Sequence, residues 1–154
     1  MPEPSETPAL PKLADFLCFA IYSANLAYGR AYKPILDELG ITYTQWIAIV
    51  ALWEEGDQTV SGLGEKLFLE SNTLTPILKK LEAQGYLVRR RDPGDERQVI
   101  VSLTAAGRAL REKGAQRTLV EATGLAFEEF RQAQNTVIKV RDNLMRHIRA
   151  SAEG

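Results

Sequence analysis

The residues best suited to chemistry are few. Cys18 is the only cysteine and His147 the only histidine of the 154 residues. One thiol excludes an intrachain disulfide and a multi-cysteine zinc site. A lone histidine near the C-terminus suits neither a His-based metal cluster nor a Ser-His-Asp triad. His147 is read as a surface residue or dimer contact, and neither metal nor cofactor is expected. Cys18 lies between Leu17 and Phe19 on an apolar stretch. It is either a small buried hydrophobe or a reactive thiol, and the second role needs donors or a positive helix end to favour the thiolate.

The second chemical feature is a concentration of charge. Between Thr73 and Arg91 stand five cations (Lys79, Lys80, Arg89, Arg90, Arg91) and one anion, Glu82, in a chain whose net charge is −1. A uniformly basic surface is excluded, so any nucleic-acid footprint must be local. The cluster is what neutralising phosphates requires. Just ahead of it come Ser71, Asn72, Thr73, Thr75 and Pro76, short polar and methyl-bearing residues suited to approach base edges. Arg97 lies just beyond a Pro-Gly turn, where a guanidinium can enter a minor groove. The plainer reading is a solvated basic face on a helix-hairpin unit with another role.

The elements that must carry these residues are set by periodicity and punctuation. Residues 1–11 hold Pro2, Pro4, Pro8 and Pro11 and predict a flexible arm. Apolar residues recur at helical spacing from Leu13 to about Arg30, with Gly29 and Pro34 marking the end. A short helix over 34–39 should stop at Gly40. A buried helix is expected from about Thr44 through Trp53, and another from Thr59 or Val60 to Phe68. Ser71 is expected to cap a helix whose stripe is Leu74, Ile77, Leu78 and Leu81. Residues 86–91 and 97–103 flank the turn Asp92-Pro93-Gly94-Asp95 as a hairpin, and Thr104 caps a new helix. From Ala105 to about Ala150 two helices are expected, broken near Thr123-Gly124. The fold class is therefore mainly α with a small β-hairpin wing: a winged helix-turn-helix with long dimerisation helices from both termini. The expected division is an arm at 1–11, N-terminal dimerisation and sensor helices at 12–42, a DNA-binding domain at 43–104 and C-terminal dimerisation helices at 105–154. The terminal helices carry more apolar surface than a small core covers, which predicts a two-fold homodimer.

Asp95-Glu96-Arg97 with Leu103-Thr104 downstream resembles the D-x-R-x5-L-T wing signature of MarR-type regulators. The helix from Ser71 to Glu82, Gly85-Tyr86-Leu87 and the three arginines fit the same pattern, and the resemblance covers roughly residues 13–149. It implies a winged-helix homodimer, usually a repressor that a ligand or oxidant releases from double-stranded operator DNA. It further implies that Asp95 and Arg97 pair within the wing. The stretches Leu17–Tyr22, Tyr32–Asp37 and Leu39–Gln45 resemble the organic-hydroperoxide-sensing branch of that family, OhrR. There the cysteine at the Cys18 position is the peroxidatic sensor, and the tyrosines matching Tyr32 and Tyr43 reach it from the partner subunit. Phenol hydroxyls can donate to a thiolate, and a sulfenic acid differs from it in size and acceptor geometry. Phe16, Phe19, Trp46 and Trp53 would wall a site for a bulky organic peroxide, or are simply core. Many members carry a second, resolving cysteine; here Ala122 and Thr123 occupy that stretch, as in the one-cysteine class. Its sulfenic acid would meet an external low-molecular-weight thiol, close on a backbone nitrogen or over-oxidise.

Three functions are thus in view. The first is a redox-responsive repressor released when organic hydroperoxide oxidises Cys18. The second is a MarR-type repressor released by a small aromatic ligand, with Cys18 structural. The third is a thiol peroxidase, disfavoured because turnover needs a resolving partner. No secretory signal pattern or bilayer-length apolar run is read in the sequence, so no membrane partner and a cytoplasmic location are expected.

Overall fold

The computed structural model describes residues 9–115 and 119–154. Of the expected arm, residues 9–11 are exposed coil and 1–8 lie outside the described residues. The chain divides into two compact units, Met1–Gln116 and Arg117–Gly154.

In the first unit a 3-10 turn at Leu13–Asp15 leads into α1, Leu17–Leu39. The sequence predicts a break at Gly29 and Pro34, yet α1 runs through both and ends at Gly40, whose φ of 72° is the left-handed cap anticipated there. Pro34 lacks the N–H that a mid-helix residue donates, at a cost of about 3 kcal/mol in an isolated helix. Beyond it, Leu36 and Leu39 are buried in the core and hold the last turn helical. Helix α2, Tyr43–Glu55, opens one residue before the expected Thr44. Thr42 caps it through a reciprocal pair: Gln45 N donates to Thr42 Oγ1, and Thr42 N donates to Gln45 Oε1.

Thr59 caps α3, Val60–Leu67, as expected. A tight turn through Phe68, at φ 58°, then delivers α4, Ser71–Ala83. Ser71 is not the cap. Glu70 holds that position with no side-chain cap hydrogen bond, and Ser71 is the first helical residue. Leu74, Leu78 and Leu81 of α4 are completely buried, each contributing roughly 1.5–3 kcal/mol by leaving water.

Strands β2, Leu87–Asp92, and β3, Asp95–Leu103, form the hairpin, with Arg89 opposite Val101 and Arg90 opposite Ile100. A two-residue strand that the sequence does not announce, β1 at Gln58–Thr59, pairs on the other side of β3 and gives sheet order β1-β3-β2. Thr104 caps α5, Ala105–Lys113. One core, drawn from α1 to α5 and the sheet, holds the unit together.

The second unit is a 3-10 turn, Glu121–Thr123, and α6, Phe127–Ala152. The first of the two expected helices stops at Lys113, earlier than the break expected near Thr123-Gly124, where a 3-10 turn ends on Gly124 at φ 69°. No residue of α6 is buried; Phe127, Leu144 and Ile148 are more than half exposed. The N-terminal half of α1 is similarly open, with Leu17 and Tyr22 about 60% exposed. Apolar faces of this extent on two helices are uncovered in the single chain.

Candidate functional site

Helix α4 turns its leucine stripe inward, so its opposite face is free. Ser71, Asn72, Thr73 and Pro76 are exposed and Thr75 is half-buried, its Oγ1 donating to Ser71 O at 2.7 Å. That bond spends the Thr75 proton within the helix. Because Glu70 makes no cap bond, the amides of Ser71 and Asn72 lack an internal acceptor, and such a helix end favours an anion. Lys79 and Lys80 are exposed two turns on, and no ion pair involves either among the described residues.

Each arginine of the run also makes contacts within the fold. Arg89 is bound to Glu82: its N donates to Oε2 at 2.9 Å, and its Nε and Nη2 donate to Oε1 at 3.3 and 3.0 Å. This clasp ties the last turn of α4 to the first strand of the wing. Arg90 donates to Ser102 Oγ at 2.7 Å and to Asp57 Oδ2 at 3.1 Å, joining the wing to the turn after α2. Arg91 donates to Glu96 O at 2.8 Å across the hairpin. All three thus make contacts within this fold, and Arg90 and Arg91 remain exposed. The Arg89 hydrogen bonds hold the Glu82 carboxyl below the usual range, and Ser102 and then Arg90 do the same for Asp57. Both lowered values mean that these links stabilise the fold above the ordinary carboxylate range and weaken as pH falls through it. The sequence reading missed Glu82, Asp57 and Ser102 as partners, since nothing in spacing pairs residues across a helix, a turn and a hairpin.

At the wing tip, Gly94 N donates to Asp92 Oδ1, fixing the turn. Arg97 pairs with Asp95 as the resemblance implies: Nε donates to Oδ1 at 3.1 Å and the backbone N reaches the same oxygen at 3.1 Å. The Arg97 side chain is nonetheless 91% exposed, braced at its root and projecting into solvent.

Cys18 is exposed in the single chain, against the reading of it as a core residue. It is the second residue of α1, within the turn whose amides have no intrahelical acceptor. Phe16 and Phe19 beside it are also exposed. Tyr32 sits 14 residues further along the same helix, about 21 Å at 1.5 Å per residue, so it cannot touch its own chain's thiol. Tyr32 and Tyr43 instead lie together, ring centroids 5.4 Å apart, with Tyr28 6.4 Å from Tyr32 on the other side. Burial, then the neighbouring Tyr43 and Tyr28, raise the Tyr32 pKa and keep it a phenol. The two tyrosines line a cleft of about 320 Å³ with Trp46, Ile47, Val50 and Leu67. Of the expected walls, Trp46 is in this cleft; Phe16 and Phe19 are at the far end of α1, and Trp53 stacks on Arg111. His147 is exposed on α6. Among the described residues no group of three His, Cys, Asp or Glu is placed to hold a metal, and no single helix is long and apolar enough to cross a membrane.

Comparison with known proteins gives consistent relatives. The family profile "Transcriptional regulator SarA/Rot" matches residues 30–113. The regulator TtmR of Methylorubrum extorquens is 44% identical over 88% of this chain and 70% of its own length. The organic hydroperoxide resistance transcriptional regulator of Bacillus subtilis is 39% identical over 86% of this chain and 92% of its own. Among solved structures, reduced AbfR bound to DNA, a protein of Staphylococcus epidermidis, superposes with a TM-score of 0.76 at 35% identity, covering 88% of this chain and 94% of that one.

Proposed function

The chain belongs to the SarA/Rot and MarR family of winged-helix transcriptional regulators, and on that premise we propose that it is a repressor which binds operator DNA as a homodimer and lets go when organic hydroperoxide oxidises Cys18. The observation that carries this reading is the pairing of an exposed, lone thiol at the start of α1 with a phenol-lined cleft that its own chain cannot bring to it. A second copy, packed on the open faces of α1 and α6, supplies that cleft. The relatives support the DNA-binding and peroxide side of this reading: one is a regulator of organic hydroperoxide resistance, and reduced AbfR has been solved on DNA.

The reaction balances without a cofactor. The Cys18 thiolate attacks the terminal peroxide oxygen, the O–O bond breaks, sulfur is oxidised to the sulfenic acid, and the alkoxide leaves as the alcohol after taking up a proton. Tyr32, held as a phenol, and Tyr43 beside it donate to the thiolate and then meet a larger, differently oriented acceptor. In this docking α4 enters the major groove, Ser71 to Pro76 approach the bases, Lys79 and Lys80 meet phosphates and Arg97 enters the minor groove. The small-aromatic-ligand reading has no comparable observation behind it.

A gel shift on the gene's own upstream DNA tests the proposal: wild-type protein should be released by cumene hydroperoxide and rebound after thiol treatment. Protein that stays bound at full Cys18 oxidation sinks it. On the DNA side, Lys79→Ala should lower the salt slope of binding by about one. Arg90→Ala should lower it less and mainly reduce thermal stability, since Arg90 is engaged with Asp57 and Ser102. Titrations over a range of salt concentrations check both; equal slopes for wild type and Lys79→Ala would remove that lysine from the interface.

A further inference from the structure

Helix α5 is gripped at both ends. At its start, Thr104 Oγ1 donates to Gly85 O at 2.6 Å and Thr104 N donates to Tyr86 O at 3.1 Å. Gly107 packs there so closely that a Cβ would stand 2.1 Å from Tyr86 O. Gly85 and Tyr86 form the junction between α4 and the wing strand β2. At its other end the Arg111 guanidinium lies 5.5 Å from the Trp46 ring and 4.9 Å from the Trp53 ring. Just beyond, Gly114 lies against Trp46, where a Cβ would be 2.3 Å from the indole. Trp46 in turn is a wall of the Tyr32–Tyr43 cleft.

Arg111 is unusual in another respect: its Nε is buried with no hydrogen-bond partner. Leaving a charged donor unmet is costly, and an arginine on a helix ordinarily avoids it by reaching water. Here the two indole faces hold it, and cation–π attraction grows as water is excluded. Nothing in the proposed oxidation or DNA docking uses this residue.

We infer that Arg111 is a positioning residue: by clamping α5 to Trp46 it makes α5 a strut that carries a change at the tyrosine cleft to the α4–wing junction. The strut is short, about 13 Å for nine residues at 1.5 Å each, and both its ends are set by contacts too close to slide. An alternative in which Arg111 only fills space predicts that an uncharged side chain of similar length leaves the response intact. The inference rests on the redox reading, and its test separates the two.

Trp46 and Trp53 are the only tryptophans in the chain, so tryptophan emission reports the clamp directly. Full-length Arg111→Met, which keeps the stem and removes the charge, is compared with wild type. Reduced Arg111→Met should bind operator with near wild-type affinity. A sulfenic-acid label should show Cys18 oxidised by cumene hydroperoxide at the wild-type rate. The oxidised variant should nevertheless lose about tenfold less DNA affinity than oxidised wild type. By reciprocity, DNA binding alone should shift tryptophan emission in wild type and not in the variant. Arg111→Lys, with charge but no planar face, should be intermediate. Release of Arg111→Met equal to wild type, with the same emission shift on DNA, overturns the strut. Wild type that is labelled but not released overturns the redox reading instead, and the DNA-induced emission shift then decides the strut unaided. Should Arg111→Met fail to fold by circular dichroism, Arg111→Lys carries the comparison.

Discussion

Cys18→Ser protein stays on its operator under a dose of cumene hydroperoxide that releases the wild type. Serine keeps the size and the exposed place at the start of α1, so folding and reduced-state DNA binding should be unaltered. It removes the only sulfur that can pass through a sulfenic acid, since the remaining sulfurs are those of two methionines. Wild-type affinity should fall by about ten- to a hundredfold on oxidation, the usual range for a coupled site, and the variant's should not move. Gel shifts with graded peroxide, on both proteins, measure this. Equal release of the two would assign sensing elsewhere. Release of both by an added phenolic compound without oxidant would favour the ligand-gated reading, and sustained peroxide consumption with excess thiol would favour an enzyme.

Gly107→Ala should lower the stability of the winged-helix unit by about 2–3 kcal/mol through overpacking. Two effects compete at this site. Alanine is the better helix former, by up to about 1 kcal/mol in a helix interior. Against that, the new Cβ would lie 2.1 Å from Tyr86 O and 3.0 Å from Leu103 Cδ2, and the first neighbour is backbone that cannot swing aside. Moving it would also disturb the Thr104 bonds to Gly85 and Tyr86, so the steric term wins. In a chain of this size the melting temperature should drop by roughly 4–10 °C. A melt matching wild type, monitored by circular dichroism, would show that α5 does not press on Tyr86 as described.

Much of this fold is legible in the sequence because local signals and tertiary packing agree. Gly40, Thr59 and Thr104 end or open helices where their residue types predict, the Leu74–Leu78–Leu81 stripe is core, and Pro93-Gly94 marks the hairpin tip. Local reading fails where burial outweighs it. Pro34 reads as a stop, but Leu36 and Leu39 anchor the helix beyond it. Ser71 reads as a cap, but the turn through Phe68 places Glu70 there instead. The candidate site divides the same way. Asp95 and Arg97 are close in sequence and their pairing agrees with the motif. Arg89, Arg90 and Arg91 read as phosphate contacts from their charge, and composition does not show that each also bonds within the fold, to Glu82, to Asp57 and to the Glu96 carbonyl. The clamp of Arg111 on Trp46 and Trp53 joins residues more than fifty positions apart and leaves no local trace.

The solitary exposed thiol has one more consequence. A sensor with a second cysteine in reach can close a disulfide within itself, without an outside thiol. Cys18 has no such companion in its chain. Where an external small thiol is what meets the sulfenic acid, how long the oxidised state persists is set outside the protein, by how much of that thiol surrounds it and how fast it is recharged. The proposed switch would therefore keep a memory of peroxide exposure whose length measures the reducing capacity of the cell, responding to the ratio of two quantities where its DNA face alone suggests one.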